Sequence, residues 1–161
     1  MQIPLTEDLV RPLAQIPGGC FVLTASHESN ATGILVSWVQ QAGFDPPVVT
    51  VAVKRDRPIC KLIEKSGYFT LNTIGEAPET SDIYKRFAQG AGDGKSVFEG
   101  LKIEQHTAGV VLSACLGHLA CRVTGTLETG DHILYAGTVI GGEVHAQGQP
   151  GVRIRSNGLN Y

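Results

Sequence analysis

Between Leu119 and Ile140 the side-chain order spells out a long β-hairpin. Leu119, Cys121, Val123, Gly125 and Leu127 alternate with Ala120, Arg122, Thr124, Thr126 and Glu128. A period of two places one set on each face of a strand, and here one face is dry. Thr129-Gly130-Asp131 supplies the turn, and His132 to Ile140 runs back as a second strand. The same periodicity recurs in Gly19–Thr24, Gly33–Val39, Val48–Val53 and Tyr68–Ile74, separated by Gly, Pro, Asn and Asp.

Helical spacing is rarer. Pro58 to Ser66 carries an apolar stripe at Ile59, Leu62 and Ile63, with Gly67 placed to end the helix. Ser81 to Gln89 follows a Thr80-Ser81 cap and sets Ile83 and Phe87 on one side. A third, short helix is expected over Thr6 to Leu13. Many short strands with two or three peripheral short helices predict a mainly β protein, a closed or nearly closed antiparallel barrel. At 161 residues the chain reads as one domain over 1–161, with Asp45-Pro46-Pro47 and Gly90 to Gly94 as internal loops.

Charge excludes some partners. A formal net charge of −2 argues against a nucleic-acid or anionic-membrane binder, since both need a broad basic excess. No apolar run approaches the ~20 residues that cross a bilayer. The first sixteen residues lack the basic start and apolar core of a signal peptide. Four scattered cysteines then suggest reduced thiols and a cytoplasmic setting.

One local basic spot stands out. The β-branched run Val48–Val53 leads into Lys54, Arg55 and Arg57, and Pro58 then opens a helix. A helix start carries unpaired N–H groups with partial positive charge, so strand, basic turn and helix together suit a phosphate. Read alone, the segment fits a solvated turn equally well.

Other candidates are weaker. Cys115, His118 and Cys121 offer zinc ligands, but an extended segment would hold the two thiols roughly 20 Å apart at ~3.3 Å per residue. Buried thiols are the better account, and no metal site is expected. No serine sits in a nucleophile elbow and no Gly-x-Gly-x-x-Gly follows a strand. The run Gly90 to Ser96 ends like a phosphate-binding loop, yet it follows a helix and reads as a connector. His132, after Gly130-Asp131 at a hairpin tip, is expected to be exposed at the barrel mouth, where it could donate a hydrogen bond to a ligand. An ordinary turn histidine is the alternative.

Taken in order, these segments resemble the flavin reductase family with the FMN-binding split-barrel fold, most of all the flavin reductase domain of flavodiiron proteins. The resemblance runs from about Ile16 to Tyr161. It rests on Gly19–Ala25, Thr32–Val39, Phe44-Asp45-Pro46-Pro47, Val51–Lys54, Tyr68–Asn72, Gly130-Asp131-His132 and the tail Arg155–Tyr161. Leu35 and Trp38 stand where many members carry a threonine and a small polar residue, a pattern the flavodiiron-type domains share.

The resemblance implies an antiparallel split β-barrel (Greek key) and an NAD(P)H-dependent flavin reductase. FMN, or FAD in its place, would be the flavin, and NADH or NADPH the donor. Gly33, Ile34, Leu35, Val36, Ser37 and Trp38 would lay backbone along the flavin edge. Lys54, Arg57 and the amides of Ile59 and Cys60, with Val53 beside them, would hold the phosphate. Lys85 and Phe87 would flank the flavin, Tyr161 would cover its ring, and His132 would position the nicotinamide. No catalytic acid or base is implied. A homodimer and an electron-accepting protein partner are expected. A flavoredoxin-like FMN electron carrier and a non-enzymatic split-barrel ligand-binding module are the competing readings.

Overall fold

A computed structural model describes residues 3–90 and 95–159, so Tyr161 and the centre of the Gly90–Ser96 connector lie outside the described residues. The chain runs α1 (Glu7–Ala14), β1 (Gly18–Gly19), β2 (Phe21–His27), β3 (Asn30–Val36), β4 (Val39–Phe44) and β5 (Pro47–Lys54). It continues through α2 (Pro58–Ser66), β6 (Tyr68–Thr73), a short 3-10 turn at Pro78–Thr80, α3 (Asp82–Gln89), β7 (Ile103–His106) and β8 (Gly109–Leu112). The long hairpin β9 (Gly117–Thr129) and β10 (His132–Val144) follows, and β11 (Val152–Arg153) closes the order.

Seven strands form one antiparallel sheet in the order β3-β2-β6-β9-β10-β5-β4. β3 curls round to lie against β5 without pairing to it. The barrel is therefore split, with β3 as an edge, as expected for a mainly β antiparallel split barrel with peripheral helices.

Local signals act where they stand. Pro58 occupies the first turn of α2, and Gly67 ends it in the left-handed region (φ 75°), donating its N–H to the Ile63 carbonyl at 2.8 Å. The Ser81 hydroxyl accepts from the Tyr84 N–H at 3.0 Å and caps α3.

β2 and β6 are buried on both faces, so two cores form. Leu23, Val51, Phe69, Leu71 and Tyr135 pack under Ile59 and Ile63 of α2. On the other side Val22, Val110 and Leu112 pack under Tyr84 and Phe87 of α3. Gly137 lets this happen: a Cβ there would stand 2.6 Å from Phe69 and 2.9 Å from the Cys121 Cβ.

Three expectations change at this level. Gly33–Val39 is not one strand: β3 ends at Val36, Ser37 and Trp38 lie between strands, and Val39 opens β4. Asp45-Pro46, joined by a cis bond, is the two-residue turn of the β4–β5 hairpin, and Pro47 already belongs to β5, paired with Phe44. Ile103–Leu112 holds an additional hairpin, β7–β8, whose second strand is wholly buried.

All four cysteines are buried free thiols. Burial pushes Cys115 and Cys121 up to about 12, so both stay protonated at neutral pH. Among the described residues no group of three or more His, Cys, Asp or Glu side chains converges as a metal site.

A histidine group on the outer surface has a pH consequence. His118 Nδ1 of β9 and His145 Nε2 lie 2.8 Å apart, and the His106 ring stands 6.2 Å from that of His118. Burial first, then repulsion from His145 and His106, lowers the His118 pKa below 6.5, against an opposing pull from Glu143 and Glu104. On acidification the unfolded chain then takes up its proton before the folded one, so stability falls as pH drops below about 6.5. Urea midpoints measured from neutral pH down to about pH 5 should show this slope, and His118→Gln should flatten it.

Candidate functional site

The turn between β5 and α2 is tight and fully specified. Arg57 N–H reaches back to the Lys54 carbonyl at 3.4 Å, and Asp56 takes a left-handed conformation (φ 70°) that aspartate tolerates better than most residues. Arg55 faces the other way. Its guanidinium donates to the Gly130 carbonyl at 2.7 Å and pairs with Glu128 at 3.2 Å, while its N–H meets the Asp131 carbonyl at 2.8 Å. It therefore locks the turn onto the β9–β10 loop. That division leaves Lys54 and Arg57, both exposed, at the mouth of a cavity of about 250 Å³.

The cavity has three walls. One is the end of β3 and the segment after it, from Ile34 to Trp38. β3 pairs with β2 on one side only, so its second edge presents N–H and C=O groups with no ladder partner. The second wall is β5, with Ala52, Val53 and Lys54, followed by Arg57. The third is α3, with Tyr84, Phe87 and the Ala88–Gly90 end, joined by Arg153 of β11. No carboxylate lines the cavity among the described residues, whereas three cations do.

Ile34, Leu35, Val36, Ser37, Trp38, Val53, Lys54, Arg57 and Phe87 all line this one space. Gly33 does not. It is buried against α3, where a Cβ would stand 2.8 Å from the Phe87 ring, so it brings Phe87 close instead. Ile59 and Cys60 turn into the core, and the Cys60 N–H donates to the Arg57 carbonyl at 3.0 Å. Lys85 is exposed on α3 away from the lining. Tyr161 lies outside the described residues.

His132 needs a correction. It is only 7% exposed, where an exposed residue at the mouth was expected. Its register partner is Lys54, which sets it next to the phosphate-type turn. Its Nδ1 lies 2.7 Å from Asp131 Oδ1, and its ring meets Trp38 at 4.9 Å between centroids. The histidine therefore sits behind Trp38, one ring away from the cavity. The hydrogen bond from His132 holds the Asp131 carboxyl below the usual carboxylate range. A carboxyl shifted that way stays ionised from neutral pH down past its ordinary pKa.

Arg153, Tyr84 and Arg155 were not among the expected residues. Arg153 lies over the Tyr84 ring at 5.6 Å. Arg155 lies over Trp38 at 5.1 Å and donates to the Leu13 carbonyl at 2.9 Å, tying the tail and α1 to the Trp38 side of the cavity. The position of Arg153 depends on β11 pairing with Gly18 and Gly19, a contact more than 130 residues away in sequence that leaves no local pattern. Chemically, the cavity can take a flat, amide-bearing ring along the β3 edge, with an anionic group at Lys54 and Arg57.

Comparison with known proteins gives the chain a family and shared folds. The flavin reductase like domain matches residues 13–157. Diflavin flavoprotein A 1 of Synechocystis sp. is 33% identical over 159 residues, covering 98% of this chain and 28% of the relative. The chain thus spans little more than a quarter of the length of such relatives. Among solved structures, nitrilotriacetate monooxygenase component B from Mycobacterium thermoresistibile is 25% identical, with a TM-score of 0.77 over 88% of this chain and 78% of the other. The flavin reductase PheA2 shares the fold at 18% identity, with a TM-score of 0.77 over 92% of this chain and 93% of its own. From residue 13 to residue 157, this chain belongs to the flavin reductase-like domain family.

Proposed function

We propose that the chain, as a single domain over 1–161, is an NAD(P)H:flavin oxidoreductase that uses FMN. The observation that carries the reading is the meeting, in one cavity, of an unpaired sheet edge and the Lys54–Arg57 pair. The edge supplies donors and an acceptor for the flavin ring, and the two cations match the charge of one terminal phosphate. One phosphate cluster favours FMN over FAD. Held there, a flavin would supply the acceptor for the hydride of a reduced nicotinamide, and the residues named would hold and orient it.

The protein's own residues position and cover. Ile34 to Trp38 fix the ring edge, Phe87 and Tyr84 close one side, and Trp38 closes another. His132, held by Asp131, backs the Trp38 ring and so positions the nicotinamide through it. No side chain needs to give or take a proton for hydride transfer. The relatives named as diflavin flavoproteins support the choice of flavin. A homodimer that covers the open mouth, a cytoplasmic setting and delivery of electrons to an acceptor protein complete the proposal.

Anaerobic titration of the FMN-loaded protein tests it. Stoichiometric NADH or NADPH should bleach the flavin band. A flavin retained through gel filtration but not bleached by either donor would make the chain an electron carrier of the flavoredoxin kind. His132→Ala, which takes away the ring packed behind Trp38, should raise the Michaelis constant for the nicotinamide by about fivefold (~1 kcal/mol), with FMN affinity kept. Steady-state kinetics beside a fluorescence titration of FMN separate the two effects.

A further inference from the structure

One cation in the cavity is not used by the reading above. Lys54 and Arg57 together match a phosphate of about −1.5 to −2 charge. Arg153 stands apart from them, on the wall built by α3 and β11. It is half-buried, and none of the ion pairs among the described residues includes it. Its place is nonetheless firmly set. β11 pairs Arg153 with Gly18, the Gly151 N–H donates to the Ile74 carbonyl at 2.8 Å, and Gly75 bridges to Pro150. A Cβ on Gly151 would meet the Gly75 carbonyl at 2.8 Å, so this approach requires glycine. The guanidinium is then held over the buried Tyr84 ring at 5.6 Å. With no ion pair of its own among the described residues, the guanidinium is available to an anion bound in the cavity.

The reaction supplies one. An oxidised isoalloxazine ring is neutral. Hydride transfer breaks the C4–H bond of the dihydronicotinamide and forms N5–H on the flavin, moving two electrons and one proton together. The nicotinamide leaves as a cation, and the ring gains one negative charge, carried on its N1–C2=O side. We infer that Arg153, held on Tyr84, pairs with that charge and sets the flavin's reduction potential. The inference rests on the flavin reading of the cavity and deepens it. It assigns to β11 a role in the electron-transfer step that is separate from phosphate binding.

The test is the midpoint potential of bound FMN, measured spectrophotometrically against a reference dye, together with affinities for oxidised and reduced FMN. Arg153→Gln should weaken reduced FMN at least tenfold more than oxidised FMN. That lowers the two-electron midpoint by about 30 mV for each tenfold. Arg153→Lys, which keeps the charge, should stay within about threefold of the parent, and its behaviour guards against a folding artefact. Three results would overturn the inference. One is an unchanged potential in the Gln variant, and another is an equal loss for both redox states. The third is an effect confined to the Michaelis constant for NADPH relative to NADH, which would make Arg153 a reader of the donor. If the parent chain binds no flavin in either state, the reading of the cavity fails, and this inference fails with it.

Discussion

Replacing Lys54 and Arg57 together by alanine should weaken FMN binding between tenfold and a hundredfold, while riboflavin affinity stays within about twofold. The two ligands share every atom of the ring and differ in the phosphate, so their comparison isolates the turn. Charge-assisted hydrogen bonds are worth ~1.5–3 kcal/mol each, and two on one phosphate are not fully additive. The loss of even one at the low end gives the tenfold limit. Neither residue is held in an ion pair among the described residues, so their removal breaks no salt bridge. Arg55 is the internal control. Bound to Glu128 and the Gly130 carbonyl, it serves the loop, and Arg55→Ala should cost stability before it costs FMN affinity. Isothermal titration with both ligands decides the matter. Equal losses for FMN and riboflavin would place the phosphate elsewhere.

The largest effect on stability is expected at Asn72. This side chain is fully buried in β6, where its amide donates to the Val110 carbonyl at 3.0 Å and the Val22 carbonyl at 3.3 Å. Its carbonyl accepts from the Leu112 N–H at 2.8 Å. Thr24 acts beside it, its hydroxyl donating to the Val110 carbonyl at 2.7 Å and accepting the Val110 N–H at 3.0 Å. Together they fasten the β7–β8 hairpin to the sheet, and with it the second core under α3. Asn72→Ala takes the side-chain acceptor from the Leu112 N–H, leaves the Val110 carbonyl to Thr24 alone and opens a cavity, so a total loss of about 3–5 kcal/mol is expected. For a chain of this size that corresponds to a fall of roughly 6–15 °C in Tm. Since Phe87 and Tyr84 stand on that core, FMN affinity should fall as well. Calorimetric melting checks the first effect. A loss below about 1 kcal/mol would mean that the hairpin is held by apolar packing alone.

Much of the architecture is legible in local chemistry, and the misses share a cause. α2 is readable to the residue because Pro58 and Gly67 mark its ends and three apolar positions mark its face. The β9–β10 hairpin is readable from alternation and its Gly-Asp turn. β7–β8 is not, because its second strand is buried on both faces and shows no period, and side chains of β2 and β6 hold it in place. The break at Ser37–Trp38 is equally hidden, since Val-Ser-Trp-Val reads as continuous strand. Only the β4–β5 pairing and the Trp38 carbonyl bond to the Ala52 N–H at 3.0 Å show where the chain turns.

The site divides in the same way. Lys54 and Arg57 are readable because strand, basic turn and proline-started helix are contiguous. Arg55 in the same run has a structural role that only the distant Glu128 reveals. His132 is readable as a residue of interest, but its burial behind Trp38 needs the barrel to close. Arg153 carries no local signal at all, since a two-residue strand paired with Gly18–Gly19 delivers it.

A crystal structure of the protein with FMN tests the central claim most directly. The account predicts the phosphate between Lys54 and Arg57, and the ring edge hydrogen-bonded to backbone groups of Ile34 to Trp38. Density for the phosphate at any other cation, or a ring with no contact to the β3 edge, would contradict it.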